Sequence, residues 1–353
     1  MKRVLLFGAG HAHAWLLAAL AKEPVYGVRL TLVSPNPRQI YSGMLPGVIA
    51  GHYKRAEAEF DVAMLAERAY AEFIPGVVSA LDAEQRVATL SDGRKFPFDV
   101  ASLNAGSAIA HPVPGSHECA LPVKPFEQLF DHLKRVGHVA IAGGGPAGAE
   151  LAMALRHQGR EVTVYSDRSM FPEHFARRVE RRMRRIGVDF RPGMRIDAIE
   201  AGSMVIAGTA RQQFDLVLWA TGPAPLPWLR SSGLALDEAG FVRVDRALRS
   251  TSHPYVLAAG DCAALGEAKS GVHSVRHGML LERNIRHIAA GTALEAYEPQ
   301  PHALLILSCG SRYAIATRGS WSAEGHWVWW WKNAIDRRWM RRLNETRFKP
   351  GGR

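Results

Sequence analysis

The chain has 353 residues, 47% hydrophobic and 22% charged, which excludes a minimal module or a disordered chain and leaves room for two or three folded domains. Lysine and arginine total 44 against 33 acidic residues, and the resulting charge of +11 favours anionic partners such as nucleotides, nucleic acid or an anionic membrane surface. Three scattered cysteines, Cys119, Cys262 and Cys309, with no C-x-x-C spacing, exclude a disulfide framework and a structural zinc site; a reducing, cytoplasmic compartment is the simpler expectation.

The N-terminus begins basic and turns apolar, as a secretory signal does, but Gly8, Gly10, His11 and His13 interrupt the run. No stretch of about 18 apolar residues follows anywhere, so membrane contact is expected to be peripheral, on the inner face. Arg3–Phe7 is a short apolar segment closed by turn glycines, the pattern of a parallel strand buried on both faces. Gly8-Ala9-Gly10-His11-Ala12-His13 then leads into an apolar helix and a second strand, Val28–Val33, which makes a βαβ unit. Two glycines at such a turn let a pyrophosphate approach backbone N–H groups at the positive end of a helix. The third glycine of the usual fingerprint is replaced by His13.

A second copy starts at Val139, where Gly143, Gly145 and Gly148 complete G-x-G-x-x-G after a strand-like run and before the strand Glu161–Tyr165. Each copy continues to Phe-Asp, an apolar run and a small-residue turn, 98–106 in the first and 214–222 in the second. The duplication predicts two nucleotide-binding domains. A further strand, Pro254–Ala259, ends at Gly260-Asp261, placing a carboxylate where it can accept from a sugar or ribityl hydroxyl, or alternatively cap the next helix. This third segment is expected to rejoin the first domain, leaving the second as an insertion with crossings near 115 and 235.

These motifs resemble the two-dinucleotide-binding-domain flavoproteins. The nearer resemblance is to type II NADH dehydrogenase-like proteins and to the flavoprotein unit fused ahead of selenophosphate synthetase, carried by GAGHAH (8–13), YSGMLPGVIAGHY (41–53), FDVASLNAGS (98–107) and AKSGVHSVRHG (268–278). It implies an α/β fold of two Rossmann-like domains: an FAD domain over 1–115 and 236–297, an NAD(P)H domain over 116–235 inserted in it, and a C-terminal cap over 298–353. It implies FAD contacts at Gly8, Gly10, His11, Ser34, Pro46, Gly106, Gly260, Asp261 and Val272, and NAD(P)H contacts at Gly143, Gly145, Gly148, Ser166, Arg168 and Gly222. The acidic ribose reader common in the family is Ser34 in one copy and Ser166 in the other; Ser166 and Arg168 suit a 2′-phosphate, whereas Asp167 suits a 2′-hydroxyl.

The segment Tyr41–Gly47 stands where disulfide reductases of this superfamily keep a cysteine pair, and it contains none. Electrons are therefore expected to leave the flavin directly, for a quinone-like or other small acceptor. A flavin-binding redox sensor with little turnover, and a sulfide:quinone-type enzyme, are the alternatives. The resemblance places Glu150 near the flavin edge as a proton-handling residue; its other reading is a favourable charge in the first turn of a helix. No histidine motif of the metal-binding kind occurs. The arginines of 177–185 read as a solvated helix face rather than a nucleic-acid site, and Trp327, Trp331, Ile335, Trp339 and Leu343, interleaved with arginines, read as a seam for either a membrane interface or the FAD domain.

Overall fold

The computed structural model describes residues 1–110, 112–169, 171–206 and 211–345. The last residues of the expected cap, 346–353, lie outside the described residues.

Two five-stranded parallel sheets organise the chain. The first has the order Val256–Ala258, Val100–Leu103, Lys2–Phe7, Val28–Ser34, Ala71–Pro75. The second repeats it as Leu121–Pro122, Leu216–Trp219, His138–Ala142, Glu161–Ser166, Asp189–Pro192. The strand Val256–Ala258 pairs with Val100–Leu103, so the third chain segment does complete the first sheet. The two chains that run between the sheets pair antiparallel at Ala108–Ile109 and Pro223–Ala224.

The duplication extends to small devices. Each unit carries a three-stranded antiparallel meander before its returning strand, over 78–97 in the first and 196–213 in the second. The aspartate of each Phe-Asp pair accepts from the start of the unit's first strand. Asp99 Oδ2 takes the Arg3 N–H at 2.7 Å, and Asp215 Oδ2 takes those of Gly137 and His138 at 2.7 and 2.8 Å. A side chain thereby satisfies backbone donors that the strand ladder leaves over.

Alternation along the first strand explains the layering. Val4 and Leu6 face the helical core with Leu30 and Leu32, while Leu5 and Phe7 face a second cluster under the meander with Leu81, Leu90 and Phe98. The helices His11–Leu20 and Gly271–Ala290 pack together over the helical face. A three-stranded antiparallel sheet, Leu305–Ser308, Ala314–Arg318 and Trp321–Gly325, precedes the terminal helix His326–Asn344.

Two expectations about helix faces need correction. Phe175, Val179 and Met183 bury the seam of the helix Glu173–Arg185, but its arginines are not all solvated. Arg178 pairs with Glu324 at 3.2 Å, and Arg182 donates to Ser311 Oγ at 3.0 Å and lies over the Tyr313 ring, so this face docks on the C-terminal sheet. The five-residue seam of the terminal helix divides: Trp339 and Leu343 enter the core, whereas Trp327, Trp331 and Ile335 are exposed. A step of four residues overshoots a full helical turn by about 40°, so four such steps carry a row from one face toward the other. The buried row is Val328, Trp329, Lys332, Asp336, Trp339, Met340 and Leu343.

Candidate functional site

The glycine turns form because nothing larger fits. Gly8 has φ +80°, and a Cβ there would stand 2.5 Å from Ala105 Cα; Gly143 has φ +112°, and its Cβ would meet Ala220 O at 2.4 Å. In the second copy the helix comes so close that a Cβ on Gly148 would lie 1.9 Å from Gly143 O. In the first copy His13 occupies that place. Its Nδ1 lies 2.6 Å from Gly8 O, the carbonyl equivalent to Gly143 O, and its Nε2 lies 2.8 Å from Ser102 Oγ. Nδ1 therefore carries the proton and Nε2 accepts from the serine. Burial pushes the imidazole down to about 4, and His13 is a neutral strut rather than a nucleotide contact.

A cleft of about 610 Å³ opens above the first turn. Gly8, Gly10, His11, Ser34, Gly106 and Asp261, drawn from both chain segments of the first sheet's unit, line it. Helix His11–Leu20 starts at this wall with Gly10 as its N-cap and no side-chain cap bond. Asn104, which sequence reasoning passed over inside its own motif, braces the site. Its Oδ1 accepts from Ala12 N and His13 N at 3.1 and 3.2 Å, and its Nδ2 donates to Ala259 O at 2.8 Å. One amide thus ties the glycine turn to the strand that presents Asp261.

The Asp261 turn is held from behind. Gly260, φ +65°, is buried off the lining, and its N–H donates to His277 Nδ1 at 3.0 Å while His277 Nε2 faces Glu267 Oε2 at 3.2 Å. Asp261 Oδ2 accepts from Ser107 Oγ at 3.1 Å and from Lys124 Nζ at 3.3 Å. Helix Gly271–Ala290 reaches the cleft through Ser270 and Gly271, whereas Val272 is exposed and does not line it. Pro46 is likewise off the lining, buried in the short helix Leu45–Ile49. Backbone donors at a helix start, beside a carboxylate that can accept from hydroxyls, suit a pyrophosphate attached to a polyhydroxy chain.

His11 closes one end. Its ring lies stacked 6.1 Å from Trp339, edge-on to Tyr41 and 3.5 Å from Ser42 Oγ; burial lowers its pKa to about 4, so it too is neutral.

At the second turn, Gly145 caps the helix Pro146–His157, with proline in its first turn. Ser166 ends its strand buried, its Oγ donating to Arg168 O at 2.7 Å, which engages the hydroxyl inside its own turn. Asp167 and Arg168 are exposed, and Gly222 has open space around it.

Glu150, in the second turn of the helix Pro146–His157, is off the first cleft's lining and lies where the second unit, the segment 41–53 and the terminal helix meet. Its Oε1 accepts the Ser308 N–H at 2.7 Å, and burial raises its carboxyl to about 7 against the opposing pull of the Lys332 charge. Lys332 donates to Asp336 Oδ2 at 2.7 Å and to Gly43 O at 2.6 Å, and the Tyr41 hydroxyl donates to Asp336 Oδ1 at 3.1 Å. Burial pulls the Lys332 ammonium down, but Asp336 and Glu150 outweigh it and hold it above its ordinary value. The sequence signal for this pair was a Lys and an Asp four apart on an otherwise apolar helix row.

Two duplicated parallel sheets, each with a glycine turn feeding a helix, define a protein with two dinucleotide-binding units. The sequence profile of the family described as pyridine nucleotide-disulphide oxidoreductase matches residues 2–287, and the chain belongs to that family. It is an FAD-containing, NAD(P)H-dependent oxidoreductase. The NADH dehydrogenase-like protein YutJ of Bacillus subtilis is 25% identical over 290 residues, covering 76% of this chain and 79% of that protein. The nitric oxide reductase FlRd-NAD(+) reductase of Salmonella arizonae is 27% identical over 278 residues, covering 74% and 72%. The sulfide:quinone oxidoreductase of Aquifex aeolicus has the same fold, with a TM-score of 0.81 at 18% identity over 98% of this chain and 92% of that one.

Proposed function

We propose that this protein oxidises NAD(P)H through FAD seated in the first cleft and passes the electrons directly to a quinone-like or other small acceptor, without a redox-active disulfide. The observation that carries the reading is the cysteine placement. Tyr41–Gly47 contains no thiol, and the described cysteines are unpaired. Cys262 and Cys309 are buried with pKa values pushed up to about 12, and Cys119 is separate from both. Buried thiols of this kind pack as small hydrophobes and are poor nucleophiles.

When bound, the flavin supplies the hydride and electron chemistry. The chain's residues bind and orient. The Gly8–Gly10 turn holds the pyrophosphate, Asp261 accepts from the ribityl chain, and His11, Ser34 and Gly106 complete the FAD wall, with Gly260 freeing Asp261 to face it. The start of helix Gly271–Ala290 offers its positive end to the ring. Gly143, Gly145 and Gly148 hold the nicotinamide nucleotide, with Arg168 and Gly222 on the exposed side. Glu150, near neutral pKa, holds or releases a proton at its second carboxyl oxygen. The FAD unit spans 1–115 and 236–297, the NAD(P)H unit 116–235, and the cap the remainder.

Replacing all three cysteines tests the direct route, with Cys262 changed conservatively because it follows Asp261. Anaerobic addition of NADH or NADPH is expected to bleach the flavin of the folded Cys-free protein as in the parent. Loss of bleaching in a folded, FAD-loaded variant overturns the reading.

The exposed tryptophans favour contact with an anionic membrane surface. Trp327, Trp330 and Trp331 lie on the outer face of the terminal helix, Trp321 packs edge-on to Trp331, and Arg338 and Arg341 extend the same face. Among the described residues no helix is long and apolar enough to cross a membrane.

A further inference from the structure

Glu267, His273, His277 and Tyr297 form a polar cluster behind the Asp261 turn, outside the cleft lining. The side chains of His277 and Glu267 are 4% and 10% exposed. A backbone N–H can only donate and a carboxylate can only accept, so His277, between the two, has one neutral form that serves both. Its Nε2 carries the proton toward Glu267 Oε2 at 3.2 Å, and its Nδ1 accepts the Gly260 N–H at 3.0 Å. The Tyr297 hydroxyl donates to the other oxygen, Glu267 Oε1, at 3.1 Å and steadies the carboxylate.

An added proton can therefore go only to Nδ1, where it faces the Gly260 N–H, donor against donor. The turn is closely seated: a Cβ on Gly260 would lie 2.6 Å from Asn104 Nδ2 and 2.7 Å from Ser274 Oγ. The groups facing His277 are Glu267 and Lys269 on the loop before its helix, His273 one turn earlier on the helix itself, and Tyr297 on the segment after it, its ring edge-on at 4.9 Å. Burial lowers the imidazole pKa below its ordinary 6.5; the Glu267 hydrogen bond and charge oppose that fall, while the His273 and Lys269 charges add to it.

We infer that His277, oriented by Glu267, is a positioning residue for FAD: as a neutral acceptor it fixes the Gly260 N–H and so holds the Asp261 carboxylate toward the cleft, and its protonation releases the turn. FAD in the cleft and a proton on Nδ1 then compete. FAD affinity is full above the folded pKa of His277 and falls as pH drops through it. The inference rests on the reading of the cleft as the FAD site.

Dilution of holoprotein at pH 8 to 5, with free FAD separated by ultrafiltration and measured by its absorbance, gives the Kd at each pH, and circular dichroism shows that the protein remains folded. In the parent, affinity is expected to fall with acid, approaching about tenfold per pH unit below the His277 pKa. His277→Leu leaves the Gly260 N–H without a partner and is expected to weaken FAD binding about 10- to 100-fold at every pH. His277→Asn places an amide oxygen where Nδ1 accepts and does not titrate, so it restores the affinity and flattens the profile. Glu267→Gln removes the charge that favours the imidazolium and is expected to move the acid fall down by about one pH unit or more; it decides by itself if His277→Asn does not fold. A fall that His277→Asn retains, a midpoint that Glu267→Gln leaves in place, or a flat parent profile overturns the positioning role while the cleft assignment survives. Failure of the parent to hold FAD at pH 8, or of Gly8→Val to abolish binding, overturns the cleft assignment itself.

Discussion

His13 shows how one residue can replace a glycine without abandoning the turn. Its neutral ring bridges Gly8 O and Ser102 Oγ in a buried space that Gly148 closes by direct backbone contact in the second copy. With a folded pKa near 4 against 6.5 unfolded, the unfolded chain binds the extra proton between those values. Stability is therefore expected to be complete above about pH 6.5 and to fall as pH drops toward 4. His13→Gln, which keeps polar reach without a titrating ring, is expected to reduce that acid slope while costing about 1–2 kcal/mol at pH 7. Denaturant melts at several pH values measure both, and an unchanged slope removes His13 as its source. His11, lowered similarly, contributes to the slope that remains.

At the scale of elements, the terminal helix carries two jobs on opposite faces. Its inner row reaches the cleft through Trp339 against His11, while Trp15 lies between Trp339 and Arg342. Its outer face presents Trp327 and Trp330, each 56% exposed. Aromatic rings beside arginines partition to a headgroup boundary, with the arginines meeting anionic phosphates. Trp327→Ser, Trp330→Ser and Trp331→Ser together are expected to weaken cosedimentation with anionic liposomes at least tenfold and leave the melting temperature nearly unchanged, whereas Trp339→Ser destabilises by about 3–5 kcal/mol. Salt should weaken liposome binding of the parent. Absence of liposome binding at low salt would sink the membrane reading.

Across the whole molecule, the junction of the second unit, segment 41–53 and the terminal helix concentrates buried charge. Glu150 folds with a pKa near 7 against 4.5 unfolded, so folding favours its protonated form. That contribution is present below about pH 4.5 and is lost as pH rises through 7. Glu150→Gln keeps the oxygen that accepts from Ser308 and cannot ionise. It is expected to be more stable than the parent at pH 8 by about 1–3 kcal/mol, and no more stable at pH 4. If the group also handles a proton in turnover, the variant's rate of electron transfer to an acceptor loses its inflection near pH 7 while flavin reduction by NAD(P)H persists. Equal stability of the two proteins at pH 8 contradicts the buried acid.

The sequence by itself determined the duplicated frame. Glycines at 8, 10, 143 and 145, short apolar strands and the paired Phe-Asp segments are local signals, because turn sterics, strand burial and strand-start capping act over a few residues. The same local logic pointed to Asp261, whereas only the family resemblance marked Tyr41–Gly47 as the place where a cysteine pair is missing. Local signals could not show that His13 is a strut or that Pro46 and Val272 stand off the lining, since each depends on what a distant segment places beside it; that the Ser166 hydroxyl turns onto Arg168 O, two residues on, was set by the path of its own loop. Asn104 and Lys124 were illegible because their partners lie far away in the chain, at Ala12 and Asp261, and the i,i+4 spacing of Lys332 and Asp336 could not show that Gly43 and Tyr41 meet them in the core. The terminal helix makes the division plain. Its apolar content was readable, but which tryptophans enter the core was set by the angle at which a helix of 3.6 residues per turn meets its neighbours, and only tertiary packing fixes that angle.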